Sequence, residues 1–381
     1  MRNTRNIICI TLGLFVLQNC SDDETATTQP EENTTLGSSY NGTRLKVLSI
    51  EPNISEDATY TWKLGTEIVG NEKVLGFVSD QAGTYNLTLE IKTASATKTF
   101  YTTVNIKQET VSYTKYISQV FDYLPAVGQF VNQLPTYVTG DSQTDMVVKA
   151  GQELVGKESG IISLGGFGGY VIFGFDHTII NKSNARDFKI LGNGFAGSSE
   201  PGIILVAYDK NKNGKPDDDE WYEIAGSEYN NSNTIKNYVI TYQKPVVENN
   251  QPNDEYIKWF DNQGNSGYKV KNAYHNQSYY PLWYQQNELQ FTGTLLPSNY
   301  TQNNTTGYWT GKQYAYGYAD NASNASEDSN IDIDWAVDKN GNSIKLMGID
   351  FIKVYTGINQ EAGWLGEIST EVTGAYDLHI K

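Results

Sequence analysis

The chain has 381 residues, and 44 acidic against 28 basic side chains leave a formal net charge of −16. That acidity disfavours nucleic acid and anionic headgroup surfaces as partners, because both repel it. Both cysteines fall within the first twenty residues, which excludes a disulfide framework or zinc–thiolate site from the rest of the chain, while 27 tyrosines among many Asn, Gly and Thr mark a turn-rich β composition.

Arg2 and Arg5 precede an apolar run from Ile7 to Leu17. The run has the length of a signal-peptide core and is too short to span a bilayer as a permanent helix. It leads into Leu17-Gln18-Asn19-Cys20, which resembles a bacterial lipobox. The resemblance implies removal of residues 1–19, acylation of Cys20 and a membrane attachment made by lipid alone. Ser21-Asp22-Asp23-Glu24 is similar to the export signal of Bacteroidota surface lipoproteins, implying an outer-membrane protein that faces the medium. Residues 20–42 are Thr-, Glu- and Ser-rich without apolar periodicity and read as a flexible acidic tether.

Residues 43–107 carry short alternating runs separated by turn residues: Leu45 to Ile50, Tyr60 to Leu64, Tyr85 to Ile91 and Phe100 to Ile106. Strands recurring at this spacing predict a sandwich. Tyr60-Thr61-Trp62, followed by Ala82-Gly83-Thr84-Tyr85, resembles the PKD domains of surface proteins, an immunoglobulin-like fold. The resemblance implies that Trp62 is core and that the domain acts as a spacer.

After a connector, residues 117–381 form a second unit with no linker inside it. Asp141 or Ser142 can cap a helix over about 143–155, with Met146, Val147, Ala150 and Leu154 on one stripe. The rest predicts strands, at Tyr170 to Phe175, Phe188 to Leu191, Ile203 to Tyr208, Trp221 to Ile224, Tyr238 to Tyr242, Ile344 to Met347 and Ile349 to Tyr355. Asp338-Lys339-Asn340-Gly341 is a hairpin turn. The fold class is therefore all-β: a PKD/immunoglobulin-like sandwich, then a larger jelly-roll-like β-sandwich with a short helix.

Asp209 to Glu220 fits D-x-[DN]-x-[DN]-G-x5-E at every fixed position. Oxygens at alternate positions wrap a hard cation, Gly214 permits the reversal, and a late carboxylate closes the shell. The expected ligands of a structural Ca2+ are Asp209, Asn211, Asn213, the Lys215 carbonyl, Asp217 and Glu220, held between strands instead of EF-hand helices. An acidic turn that binds nothing has the same composition.

Between Tyr256 and Tyr318 the chain is crowded with rings and amides, a combination suited to ligands with apolar faces and polar edges. Trp259, Tyr280, Trp283, Tyr284, Tyr308 and Trp309 are the expected ligand contacts, with the remaining rings filling the core. His177 beside Asp176 has no accompanying nucleophile and reads as a satisfied turn histidine. Gly165-Gly166-Phe167-Gly168-Gly169 lacks a following Lys-Ser/Thr and reads as a tight turn or bulge. Asp332 and Asp334, two residues apart, are a weak basis for a hydrolase, so no catalytic residue is assigned and the chain reads as a binding protein.

The second unit is similar to the β-rich module of Bacteroidota surface lipoproteins, on Ile162 to Gly169, Phe173 to His177, Gly197 to Gly202, Glu220 to Glu223 and Trp364-Leu365-Gly366-Glu367. The resemblance implies capture of a nutrient, cobalamin foremost, for a TonB-dependent outer-membrane transporter. Glycan binding, adhesion and glycan cleavage are the alternatives.

Overall fold

The computed structural model describes residues 35–54, 57–247 and 250–381. The signal segment, Cys20 and the tether up to residue 34 lie outside the described residues. The all-β expectation holds: strands build both units, and Gln143–Leu154 is the one α-helix among the described residues.

In the smaller unit a five-stranded sheet runs in the order Ser39–Thr43, Thr97–Lys107, Gly83–Lys92, Thr59–Leu64 and Glu67–Gly70. Leu48–Ile50 and Leu75–Phe77 form a facing pair. The alternation over Leu87, Leu89 and Ile91 turns these side chains inward onto Trp62, whose Nε1 donates to the Glu72 carbonyl at 3.0 Å. The unit begins earlier than residue 43, because Ser39–Thr43 pairs in parallel with Thr103–Lys107. This edge strand carries one apolar ring, Tyr40, so its sequence has no periodicity to read.

The larger unit is built on a six-stranded antiparallel sheet in the order Ala336–Val337, Tyr222–Ile224, Gly202–Ala207, Gly348–Thr356, Tyr170–Ile180 and Gln119–Leu124. It is buried on both faces. Ile204, Val206, Ile352 and Val354 face a core closed by the helix and by the three-stranded sheet of Asn330–Ile331, Phe188–Leu191 and Gly374–Asp377. Ile203 and Tyr355 face a second core, closed by the four-stranded sheet of Ser266–Lys269, Ile257–Asp261, Ile235–Gln243 and Glu288–Leu295. Ser142 caps the helix in a reciprocal box with Asp145, and Met146, Ala150 and Leu154 are buried.

Two expectations change. Ile344 to Met347 is not a strand; it is an irregular run whose Met347 packs on the core of the smaller unit. That unit is also docked closely instead of standing off as a spacer. Thr178 N donates to the Leu45 carbonyl at 2.9 Å, Val47 N to Thr178 Oγ1 at 3.0 Å, and Tyr208 Oη to the Val74 carbonyl at 3.2 Å. Such cross-domain bonds are invisible to local periodicity.

Candidate functional site

The loops leaving one end of the central sheet enclose a cavity of about 700 Å³. Four stretches bring in most of its wall: Gln129 and Phe130, Asn193 to Glu200, Asn272 to His275, and Trp364 to Glu371. Three of them overlap strings singled out above, Gly197 to Gly202, Trp364 to Glu367 and the aromatic region, which the fold draws together.

Hydrogen bonds between loops fix the walls. Asn272 Nδ2 donates to the Trp364 carbonyl at 2.8 Å, and Gln129 Nε2 donates to the Leu365 carbonyl at 2.9 Å. Phe130 meets His275 edge-on at 4.7 Å between centroids. Around the mouth, Tyr274 is 80% exposed and Trp364 54% exposed. Exposed rings held by a bonded framework present flat apolar faces at little ordering cost.

The floor is acidic. Glu200 and Glu371 line it, and these two together with Asp320, which is not part of the lining, each offer a carboxylate oxygen within 4.8 Å of the others. Asp320 Oδ1 accepts from the backbone of Asn193 at 2.8 Å and Gly194 at 2.7 Å, and its Oδ2 accepts from Glu371 N at 2.9 Å. Gly192 is required beside it, since a Cβ there would lie 2.1 Å from Asp320 Oδ1. Glu371 accepts from Ser369 Oγ at 2.7 Å and from Asn193 Nδ2 at 3.3 Å. Burial, with the neighbouring carboxyls adding to it, raises the pKa values of Glu200 and Asp320; burial also raises Glu371. Glu367 stands on the same wall. Its Oε1 accepts from Gln129 N at 2.6 Å, and its Oε2 has no hydrogen-bond partner. Burial, followed by repulsion from Glu361, pushes Glu367 up to about 8.

None of the six expected ligand rings lines this cavity. Tyr280 and Trp283 are core side chains, 0% and 4% exposed, with Trp283 Nε1 donating to Gln143 Oε1 at 2.8 Å. Neighbouring turn residues do not keep a ring outside when a helix and a second sheet close over it. Tyr284 packs on Tyr280, and Trp259 lies half-buried over Gly267. Trp309 packs against Gly363, next to Trp364 in the chain, while Tyr308 is exposed away from the cavity. The rings that do line it, Tyr274 and Tyr300, belong to the stretch identified in the sequence; Trp364 and Phe130 lie outside it.

The Asp209–Glu220 loop does join two strands. Asp209 accepts from Asn213 N at 3.0 Å and Gly214 N at 2.8 Å, and Asn213 Oδ1 from Lys215 N at 2.8 Å. Both Asn211 and Asn213 donate side-chain amides to Asp217. Glu220 is buried at the loop base, where its oxygens accept from the backbone of Lys210 at 2.7 Å and Asp217 at 3.2 Å.

His177 is a strand residue, not a turn residue. Its Nδ1 and Nε2 each lie 2.8 Å from a carboxylate, Asp176 and the buried Asp377, and clamp the C-terminal strand to the central sheet. Asp332 and Asp334 are held apart by separate cations, Arg186 and Lys345. The glycine run passes between sheets: a Cβ on Gly168, at φ +89°, would lie 2.2 Å from Phe291 Cβ.

Residues 38–93 match the family model of a PKD-like domain, in agreement with the sandwich found there. No curated protein matches the chain. Among solved structures, a SusE-like protein is similar over 90% of this chain and 95% of its own, at 6% identity and a TM-score of 0.29. A Bacteroides ovatus protein of a mixed-linkage glucan utilization locus, in complex with a heptasaccharide, is similar over 65% of this chain and 46% of its own, at 15% identity and a TM-score of 0.18. A carbohydrate-binding module of the β-sandwich superfamily covers 88% of this chain and 94% of its own, at 11% identity and a TM-score of 0.15. Likeness this slight carries no weight for the site, which is read from its own residues.

Proposed function

We propose that this chain is a lipid-anchored surface protein that binds a glycan in the cavity between the loops of its larger unit and delivers it toward an outer-membrane transporter. One observation carries the reading: the exposed rings of Tyr274 and Trp364 stand at the mouth of a cavity of about 700 Å³ whose deeper wall holds amide, hydroxyl and carboxyl groups. A pyranose has an apolar face for the rings and a belt of hydroxyls for Asn193, Asn272 and Ser198.

The test is a calorimetric titration of a soluble glycan panel, with cobalamin as a separate arm. Trp364→Ala and Tyr274→Ala should each weaken glycan binding about tenfold, the upper end of one aromatic stacking contact, without lowering the melting temperature. Cobalamin binding with no glycan binding would replace the ligand class. Unchanged glycan affinity in both variants would remove the cavity from the reading.

A further inference from the structure

We propose that the cleft between the central sheet and the four-stranded sheet is a second ligand site, which takes a sugar acid by pairing its carboxylate with Lys353. The cleft has a volume of about 350 Å³, at the lower end of the range for small-molecule sites. Strand Gly348–Thr356 contributes Lys353 and strand Tyr222–Ile224 contributes Glu223, while Lys236 and Thr294 come from the facing sheet. The turn from Asp338 to Gly341 and the half-buried Trp221 add to the wall. None of these residues lines the cavity described above.

Charge pairing within the cleft leaves this one half-buried cation over. Glu223 is fully engaged: its Oε1 lies 3.2 Å from Lys236 Nζ, and its Oε2 accepts from Thr294 Oγ1 at 2.7 Å. Lys236 also caps the Tyr229 ring, 3.1 Å from its centroid. Asp338 turns back into its own hairpin, where Oδ1 accepts from Asn340 N and Asn342 N, each at 2.8 Å. Lys353 has no such partner. Held in mid-sheet between Ile172 and Leu205, its ammonium rests 4.2 Å from the centroid of the Tyr170 ring and forms no ion pair among the described residues. The carboxylates that it senses at longer range are Asp122, which already accepts from Tyr170 Oη at 2.6 Å, and the exposed Asp218. Burial lowers the pKa of Lys353, and those two charges offset it only in part. An ammonium that has exchanged water for a ring face gains from a carboxylate carried in by a ligand. The body of a pyranose finds a flat partner in Trp221 and hydrogen-bonding groups in Asn237, Thr292 and Asn340. With a net charge of −16 the rest of the chain repels acids, so Lys353 makes this cleft the exception.

The site does not depend on the reading given for the other cavity. The protein is titrated by calorimetry with the methyl glycosides of glucuronate and galacturonate, with their neutral counterparts, and with acetate. At least one acid should bind about tenfold more tightly than its neutral counterpart and than acetate, as a single charge-assisted pair supplies. Lys353→Met keeps the length of the side chain without its charge and should bring that acid down to the neutral level. Lys353→Arg should keep most of the preference, and Trp364→Ala, in the other cavity, should leave it unaltered. Melting curves establish that each variant is folded, and the comparison of acid with neutral sugar in wild type stands even where a variant is not. Equal affinity for acid and neutral sugar would overturn the proposal, as would acetate binding as tightly as the acids. So would no heat from either acid at about 10 mM, an unchanged acid affinity in folded Lys353→Met, or its loss in Trp364→Ala.

Discussion

Glu367 offers a stability test with a definite sign. Its carboxyl titrates near 4.5 when exposed and is pushed up to about 8 by burial in the fold. Between these values the folded chain holds a proton that the unfolded chain has released, so stability falls as pH rises through the interval. It is fully retained only below about 4.5. At about 1.36 kcal/mol per pH unit, the loss reaches about 4 kcal/mol near pH 7.5. Relaxation and water from the adjoining cavity bring the figure to about 2–4 kcal/mol. Glu367→Gln removes the titration, keeps an oxygen for Gln129 N and gives the unpartnered side a donor. In EDTA near pH 7.5 the variant should melt about 4–8 °C above wild type, at roughly 2 °C per kcal/mol for a unit of this size. Near pH 4.5 the two melts should converge. Equal melting at pH 7.5, or the same gain at both pH values, would refute the reasoning.

Other side chains separate core from site. Trp283→Ala should cost about 3–5 kcal/mol in chemical denaturation, since a buried ring is lost from the core under the helix. His177→Ala strands the buried Asp377 carboxylate and should cost about 3–5 kcal/mol; a loss under about 1 kcal/mol would show that the clamp is not structural. Ser142→Ala should cost about 1 kcal/mol through the helix cap, read as a lowered denaturation midpoint. For the Asp209–Glu220 loop, we expect structural calcium. A chelator should lower the melting temperature, and an unchanged melt would mean that the loop holds itself with its own amides.

The local elements were legible because their causes are local. A stripe of Met146, Ala150 and Leu154 behind Ser142 can only be an amphipathic helix, and the alternation over Leu87, Leu89 and Ile91 can only be a half-buried strand. Trp62 as core and a strand-flanked acidic loop follow from the same short-range rules. Which rings stand at the cavity did not follow. Trp283 and Tyr274 stand in one aromatic stretch, yet the first is sealed beneath the helix and the second juts from the cavity mouth. The acidic floor escaped for the same reason. Glu200, Asp320 and Glu371 lie far apart in a chain full of carboxylates, and only the closing of three loops over one sheet end removes the water between them. Spacing along the chain carries backbone periodicity; burial and the convergence of distant loops depend on how the layers pack.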